Sequence, residues 1–376
     1  MAAPALPLLI VHNRPFIELR YSRRDQSVLA WTWLDTGGGA VILAEPLVRA
    51  LRLERAGESF MEEGSRLTPV ARPAVYAGDL ALPLHGVPTL MIDRPSVGPA
   101  AFQAPAFLPA RLFRQFTVTF DYPGREVHLD TPGAAADAGA VVEAPVHPQS
   151  AFVRVELEIA GERLGFLLDT GASYSMISSA VLERWQAAQP DWPVTRGAYG
   201  CAQMLGGGDE AFLSMVRVPE ARLGDVRLRN AGFVTRPAGV FERYMSAQMT
   251  APVVGALAGN VLRHLRFTMD YGRQRLHVQP RVVEGRQDPQ SAGLCLRSGG
   301  AGWVVARVAD SAHPTTRAQV SPGDEIMAVG DQCLEGSDLG EAVNALSGAP
   351  GEVLAVTLRR EGTPRRVDVP VVAVLP

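Results

Sequence analysis

The sequence predicts a mainly β protein in which one β-rich unit occurs twice in tandem and a smaller β-rich domain follows. Short runs such as FVRVELEIA (152–160) alternate apolar and polar residues between turn residues, which is typical of half-buried strands. An internal repeat and a change of pattern near residue 290 give the rest of the organisation. The 376 residues allow roughly two to four domains, each with its own core.

Three segments recur in the same order along the chain. The matched segments are WLDTGGGAVIL around Asp35 and LLDTGASYSMI around Asp169, 77–92 and 223–237, and 116–130 and 266–280. We therefore predict two homologous lobes, 1–131 and 151–282. The connection between them, 132–150, is rich in Ala, Gly and Pro, which is typical of an exposed linker.

One helix is predicted directly after each Asp-Thr-Gly segment. These helices are expected at 45–54 and at 178–188, with Ser178 or Ser179 as the N-cap of the second.

The last part of the chain, 290–376, is predicted to form a third, small domain. It has β-like runs, the turn-containing segment SPGDEIMAVG and one amphipathic helix that stops at a glycine. Their predicted positions are 303–308, 353–360 and 366–374 for strands, 321–330 for the turn and 338–348 for the helix.

The composition excludes several classes of function. The net charge of −3 gives no electrostatic footprint for DNA or RNA, so nucleic acid is not an expected partner. All 36 basic residues are Arg, which excludes a phosphate-binding loop ending in Gly-Lys and a Schiff-base lysine. The seven His residues show no ligand spacing and no HExxH occurs, so we expect no metal and no cofactor.

Cysteine usage and hydropathy give no sign of a disulfide framework or a membrane span. Cys201, Cys295 and Cys333 are far apart and odd in number. No apolar stretch reaches the roughly 18 residues that a transmembrane segment needs. The short apolar run at 6–11 is either a first strand or the start of a mature chain whose export signal was removed. The compartment is therefore unknown: cytoplasmic by default, periplasmic or secreted if Met1 begins a trimmed chain.

The two Asp-Thr-Gly segments form the one complete acid–base constellation in the sequence. Each follows an apolar strand, which places Asp35 and Asp169 at the edge of a core. Gly171 is expected to permit unusual backbone geometry, so that peptide NH groups approach the carboxylate, and Thr170 to brace the loop. Two carboxyls that share a site hold one proton between them, so one can activate a water while the other polarises a carbonyl. The alternative is that both segments are only turns.

With these motifs the two lobes resemble retropepsin-like aspartic peptidases, specifically bacterial forms with two lobes in one chain. The segment VVGALAGNVLRHLRFTMDY (253–271) resembles the apolar-apolar-Gly loop and following helix of that family. The resemblance covers about residues 14–282 and implies a bilobal aspartic protease that cleaves peptide bonds without a metal or cofactor.

The resemblance also implies the roles of individual residues. Asp35 and Asp169 would be the catalytic pair, and the supporting loop around them would comprise Thr36, Gly37, Thr170 and Gly171. The hairpin at 196–212 would be a flap over the cleft, with a mobile tip at Gly206, Gly207 and Gly208. The alternative for this hairpin is an ordinary surface loop.

The first lobe departs from the family pattern. Ala106 stands where the second lobe has Gly255, and the residues that follow the two Asp-Thr-Gly segments, Gly38 and Ala172, carry no hydroxyl. Three functions therefore stay open. They are an aspartic endopeptidase with an intrachain pair, a peptidase formed by second lobes in a homodimer, and a non-catalytic peptide-binding scaffold.

The C-terminal domain resembles a PDZ domain over about residues 290–374. Its carboxylate-binding loop would be Gly293, Leu294, Cys295 and Leu296, which would present backbone NH groups to a peptide end. Cys295 is interpreted as a small apolar filler. The resemblance implies a peptide ligand in this groove, beside a peptide or protein substrate in the protease cleft. The alternative is a domain that serves only as packing for the protease.

Overall fold

The computed structural model describes residues 5–62, 65–94, 97, 104–134, 139–197, 213–281, 290–299, 302–337 and 339–375. The described residues are mainly β, as the sequence predicts. Within these ranges, no helix has both the length and the apolar character needed to cross a membrane.

The secondary-structure elements are numbered in chain order. The strands up to residue 109 are β1 (Leu6–Pro7), β2 (Leu9–Val11), β3 (Arg14–Arg23), β4 (Gln26–Asp35), β5 (Val41–Ala44), β6 (Phe60–Glu62), β7 (Ser65–Pro69), β8 (Ala74–Ala77), β9 (Leu80–Ala81), β10 (Thr89–Ile92) and β11 (Ala106–Pro109). The strands up to residue 280 are β12 (Thr117–Asp121), β13 (Glu126–Asp130), β14 (Ala140–Glu143), β15 (Arg154–Ile159), β16 (Glu162–Asp169), β17 (Ser175–Ser178), β18 (Val194–Arg196), β19 (Ser214–Leu223), β20 (Val226–Arg236), β21 (Gly255–Ala258), β22 (Leu265–Asp270) and β23 (Arg275–Pro280). The remaining strands are β24 (Gln290–Ser291), β25 (Leu294–Gly299), β26 (Gly302–Val308), β27 (Glu325–Val329), β28 (Gln332–Cys333), β29 (Val353–Arg360), β30 (Thr363–Pro370) and β31 (Val372–Ala373). The helices are α1 (Glu45–Ala50), α2 (Ala110–Phe113), α3 (Ser179–Ala188), α4 (Gly259–Leu262), α5 (Pro314–Gln319) and α6 (Leu339–Ala345), with a π-helical turn at Val240–Met245 and a 3-10 turn at Ser246–Gln248.

The same pattern of strand pairing occurs in residues 14–130, called here the first repeat, and in residues 154–280, the second repeat. In the first repeat, β4 ends at Asp35 and pairs in parallel with β11, which pairs antiparallel with β5. In the second repeat, β16 ends at Asp169 and pairs in parallel with β21, which pairs antiparallel with β17. The order β7-β10-β5-β11-β4-β3 of one sheet thus corresponds to β19-β20-β17-β21-β16-β15 of the other.

A third sheet, β1-β13-β12-β22-β23-β14, takes strands from both repeats. Its central strands, β12 and β22, are antiparallel, with Thr119 opposite Thr268. These two residues occupy equivalent positions in the two copies, and their hydroxyls share a hydrogen bond of 2.8 Å. Because equivalent residues face each other, a local two-fold axis passes between them.

Several elements differ from those predicted. The linker predicted at 132–150 contains β14, which pairs with β23 at the edge of the central sheet. Its Ala-Val-Val run forms a strand because β23 offers an open edge, which composition does not reveal. Helix α1 is shorter than the predicted 45–54. Ser178 takes the N-cap position of α3, but its side chain makes no capping hydrogen bond.

The C-terminal region, residues 290–375, has a sheet in the order β25-β26-β27-β29-β30, with β28 paired to β27. Its described residues form two helices, whereas the sequence predicts one. The missed helix, α5, begins at Pro314, and the ring nitrogen Nδ1 of the preceding His313 accepts the backbone NH of Thr315 at 3.2 Å. In the predicted Pro-Gly-Asp turn, Asp324 is buried and accepts hydrogen bonds from Arg360.

The C-terminal region packs on the second repeat. One apolar cluster joins residues of the C-terminal region to residues of the second repeat, among them Ala309, Ala312, Val374 and Leu375 on one side and Met176, Met215, Val234 and Phe241 on the other. The buried Arg217 of β19 donates to the carbonyl of Leu375 at 2.9 Å. The Thr195 and Ser311 hydroxyls share a hydrogen bond of 2.7 Å. These contacts favour a packing role for the C-terminal region, whatever else it binds.

We expect the substitution Val374→Ala to lower the free energy of unfolding by about 2 kcal/mol, because it removes two buried methyl groups and leaves a cavity at this contact. Val353→Ala is the matched control, since Val353 is 57% exposed whereas Val374 is 0% exposed. Urea unfolding of the full chain measures both. Equal stabilities of the two variants would contradict the packing described here.

Candidate active site

Asp35 and Asp169 lie at equivalent strand ends and meet at the local two-fold axis. Both side chains are buried, with Asp35 0% and Asp169 2% exposed. Each carboxyl lies against the glycine of the opposite loop. A Cβ atom on Gly171 would stand 2.1 Å from the carboxyl carbon of Asp35, and one on Gly37 would stand 2.9 Å from that of Asp169. The structure therefore brings the two predicted carboxyls into one site within one chain.

Space, rather than backbone conformation, requires glycine at these two positions. Neither Gly37 nor Gly171 has the left-handed φ that favours glycine, so the unusual backbone geometry expected from the sequence is not present. The expected approach of peptide NH groups is present. The NH of Gly37 donates to Oδ1 of Asp35 at 2.6 Å, and that of Gly171 donates to Oδ1 of Asp169 at 2.8 Å.

Thr36 and Thr170 tie the two loops together by reciprocal hydrogen bonds. The hydroxyl of Thr36 donates to the carbonyl of Leu168 at 2.6 Å and accepts the NH of Thr170 at 3.0 Å. The hydroxyl of Thr170 donates to the carbonyl of Leu34 at 2.8 Å and accepts the NH of Thr36 at 3.1 Å. Because both residues are buried, each hydroxyl satisfies polar backbone groups that have no access to water.

The two carboxyls have unequal surroundings. Asp169 accepts two backbone NH groups, from Gly171 at 2.8 Å and Ala172 at 2.9 Å, whereas Asp35 accepts that of Gly37. Burial, followed by the negative charge of Asp169, raises the pKa of Asp35 well above its usual range. Burial also raises the pKa of Asp169, but its two NH donors act in the opposite direction. These surroundings favour the negative charge of a singly protonated pair on Asp169 rather than on Asp35.

The departures of the first repeat leave its strand register intact. Ala106 pairs in β11 in the same way that Gly255 pairs in β21, parallel to one neighbour and antiparallel to the other. At the next position the side chains of the two repeats differ more in size, with Phe107 in the first repeat and Ala256 in the second. A Cβ atom on Gly38 would stand 2.2 Å from the Phe107 ring, so the phenylalanine explains why position 38 is glycine.

Two buried residues near the pair were not predicted from the sequence. Arg14, at the start of β3, is 0% exposed, and its Nε donates to the carbonyl of Gly171 at 2.8 Å. Tyr122 follows β12 in the core, and burial, followed by the negative charges of Asp169 and Asp35, raises its pKa well above the ordinary value. Arg14 belongs to no recognised motif, and Tyr122 lies in the recurring segment 116–130 without any sequence signal for a role at the site, because both reach the pair through the tertiary fold.

The remaining predicted site residues lie in the C-terminal region or outside the described residues. Gly206, Gly207 and Gly208, the predicted flap tip, lie outside the described residues. Gly293 has a left-handed φ of 72°, donates its NH to the Ser291 hydroxyl at 3.0 Å and accepts the NH of Ala309 at 2.7 Å. Its NH is thus engaged within the chain.

The other three residues of the predicted carboxylate-binding loop, Leu294, Cys295 and Leu296, are buried in β25, an edge strand of the described C-terminal sheet. Leu294 and Leu296 share an apolar cluster with Ala342 of α6 and Leu346 directly after it. The edge strand and the helix therefore both contribute side chains to the core of the C-terminal region.

Across the part of the chain that the structure describes, no group of three or more His, Cys, Asp or Glu side chains is arranged to hold a metal ion. Cys295 is buried and Cys333 is exposed, and both are free thiols.

Two of three comparisons with known proteins found a match. The profile of a family described as aspartyl protease matches residues 155–255, which include Asp169 and the loop around it. Among solved structures, the chain is similar to an aspartic proteinase from Irpex lacteus, with 11% sequence identity and a TM-score of 0.44, over 74% of this chain and 98% of that one. A search of curated proteins found no match. The family match supports a protease-like function.

We expect Thr170→Val to lower the free energy of unfolding by about 2–4 kcal/mol, because it leaves the buried NH of Thr36 and carbonyl of Leu34 without partners. Thr170→Ser keeps the hydroxyl and is the matched control, with a much smaller loss. Denaturant unfolding of both variants measures the difference. A serine variant as unstable as the valine variant would show that the methyl group, not the hydroxyl, matters.

Proposed function

We propose that the chain is an aspartic-type endopeptidase whose catalytic groups are Asp35 and Asp169. One observation carries this proposal: two fully buried carboxyls from equivalent strand ends lie against each other's loops and have raised pKa values. A protein gains no stability from two like charges buried together, so an arrangement of this kind is typical of acid–base chemistry.

In the proposed mechanism the two carboxyls take opposite roles. Asp169, stabilised as an anion by the NH groups of Gly171 and Ala172, accepts a proton from a water molecule held between the carboxyls. The resulting hydroxide attacks the carbonyl carbon of the scissile peptide bond. Asp35, whose pKa is the more strongly raised, donates its proton to the carbonyl oxygen. Collapse of the tetrahedral intermediate then breaks the carbon–nitrogen bond: one hydroxyl of the intermediate returns its proton to Asp35, and the leaving amine takes the proton held by Asp169.

The C-terminal region is proposed to bind a peptide as well as to pack on the second repeat. As an edge strand, β25 has a free side for the addition of an extended peptide strand, and its residues Leu294 and Leu296 belong to the same apolar core as α6. Because the NH of Gly293 donates to the Ser291 hydroxyl, a peptide carboxylate would be bound by backbone NH groups of the residues that follow Gly293.

Of the alternatives, the homodimer of second repeats is less favoured by the contacts. The Thr170 hydroxyl and the Gly171 loop are already engaged by Leu34 and Asp35 of the same chain. A second copy of Asp169 therefore has no room to approach unless the two repeats separate.

The first test of the function is replacement of each carboxyl. Asp35→Asn and Asp169→Asn are each expected to lower kcat/KM by at least about a thousandfold, because neither carboxyl alone performs both proton transfers. Both variants should remain folded, because asparagine has nearly the same size and shape as aspartic acid. The measurement is cleavage of a mixed peptide library, read by mass spectrometry, with thermal unfolding as the control for folding.

Cleavage that resists a statine-type transition-state inhibitor, or full activity of Asp35→Asn, would contradict the intrachain pair. Peptide binding by the unmodified chain without any cleavage would instead favour the scaffold.

The pH dependence follows from the surroundings of the pair. Because burial raises both pKa values, the doubly protonated and inactive form persists to higher pH than for exposed carboxyls. We therefore expect a bell-shaped profile of kcat/KM centred at mildly acidic to near-neutral pH. Ala172→Ser adds a hydroxyl beside Asp169 and should move the acidic limb down by up to about one unit, for one hydrogen bond of roughly 1 kcal/mol.

Gly38→Ser contrasts with this variant in stability, because its Cβ would meet the Phe107 ring, and we expect it to lower the free energy of unfolding. An optimum at strongly acidic pH for the unmodified chain would contradict the expected profile.

A further inference from the structure

The β-hairpin formed by β2 and β3 contacts the loop that follows Asp169 in the second repeat. Strands β2 and β3 are joined by His12 and Asn13, both with left-handed φ (46° and 63°), which is typical of a tight hairpin turn. The Asn13 side chain donates from Nδ2 to the carbonyl of Ser173 at 3.1 Å. The backbone carbonyl oxygen of Asn13 would stand 2.2 Å from a Cβ atom on Gly259, so the hairpin tip packs closely against α4.

Arg14 follows this turn and points into the interior. Its side chain is fully buried, its Nε donates to the carbonyl of Gly171 at 2.8 Å, and its guanidinium carbon lies 5.2 Å from the centre of the Trp33 ring. Gly171 is two residues beyond Asp169, and Trp33 is two residues before Asp35. One side chain thus contacts the segments that carry both carboxyls.

A fully buried guanidinium needs a negative charge nearby, since an unpaired buried charge costs several kcal/mol. The positive charge of Arg14 acts on both carboxyls: although burial raises the pKa of Asp35 and of Asp169, Arg14 opposes that rise in each. A pair with one proton carries one negative charge, which is the charge that balances one arginine.

The second repeat does not use arginine at the same position. The strand register shows which residues are equivalent. Phe16 lies opposite Trp33, two residues before Asp35, and Arg154 lies opposite Leu167, two residues before Asp169. Counted back by two residues, Phe152 is the equivalent of Arg14, and it is buried in an apolar cluster. Because the fold accommodates phenylalanine at this position in one copy, the strand pairing itself does not require the cation.

We propose that Arg14 is a positioning residue for the carboxyl pair, holding the Gly171 loop against β4 and supplying the single positive charge that balances the single negative charge of Asp35 and Asp169. This proposal rests on the proposed function of the pair. Among the described residues, other titratable groups around these elements include His12 in the hairpin turn, Tyr122 from the turn after β12, and Arg263, which follows α4 and donates to the Asn13 side chain at 3.1 Å.

The test removes the positive charge of Arg14 and its hydrogen bond to Gly171 in separate variants. Arg14→Gln keeps an NH donor but removes the charge, and it should move the acidic limb of kcat/KM up by at least about one pH unit. The sign follows because loss of the cation raises the pKa of the anionic carboxyl, so the inactive protonated pair persists to higher pH. Arg14→Lys keeps the charge and should retain the limb, but with lower kcat, since lysine cannot reproduce the contact of Nε with Gly171.

Arg217→Gln is the matched control, because Arg217 is also buried but donates to the carbonyl of Leu375 in the C-terminal contact. It should lose stability without moving the limb. An unmoved limb in folded Arg14→Gln would overturn the proposal, as would an equal shift in Arg217→Gln. If Arg14→Gln does not fold, Arg14→Lys provides the test. An acidic limb that moves up by at least about one pH unit in Arg14→Lys would overturn the proposal.

A second readout separates this proposal from the proposed function. Carboxyl titration by carbon-13 NMR of the aspartate-labelled full chain, assigned with Asp35→Asn and Asp169→Asn, follows the pair without any substrate. An upward shift of its first titration in Arg14→Gln supports the charge balance even in a chain that cleaves no peptide. Cleavage that depends on both carboxyls, together with an unchanged titration in Arg14→Gln, supports the function and rejects the role of Arg14.

Discussion

The reciprocal hydrogen bonds of Thr36 and Thr170 set the distance at which the two repeats meet, and the geometry of the candidate site depends on that distance. At this separation each carboxyl fits only against a residue without a side chain, which is why both loops carry glycine. The same separation removes water from Asp35 and Asp169, and desolvation is the largest influence on both pKa values. These four hydrogen bonds therefore determine both how the two repeats pack and how deeply the two carboxyls are buried.

Within this nearly symmetric frame the electrostatics are asymmetric. Asp169 has two NH donors, and Asp35 has that of Gly37. Arg14 stands at a position that is apolar in the other repeat. Symmetry thus brings the two carboxyls together, while the departures from symmetry favour the negative charge on Asp169 and the proton on Asp35. The proposed acid and base would be distinguished in this way without any difference in residue type.

Much of this arrangement is predictable from the sequence, because it depends on local patterns. The β class follows from alternating runs, and the meeting of Asp35 with Asp169 follows from the repeat together with the two-fold relation that a repeat suggests. What the sequence does not reveal depends on contacts between distant segments. The role of Arg14, the strand inside the predicted linker and the packing of Leu375 on Arg217 all require knowledge of which surfaces face each other. The predicted reason for Gly171 was wrong for the same cause, since the carboxyl that excludes a side chain belongs to the other repeat.

The central claim is that one chain contains a complete pair of catalytic carboxyls. The measurement that tests it most directly is the specific peptidase activity of the unmodified chain as a function of its concentration, with molar mass followed by light scattering. A pair within one chain predicts a rate proportional to concentration, and so a constant specific activity, down to nanomolar dilution and in the monomer. A specific activity that falls on dilution in step with dissociation of a dimer would contradict the account.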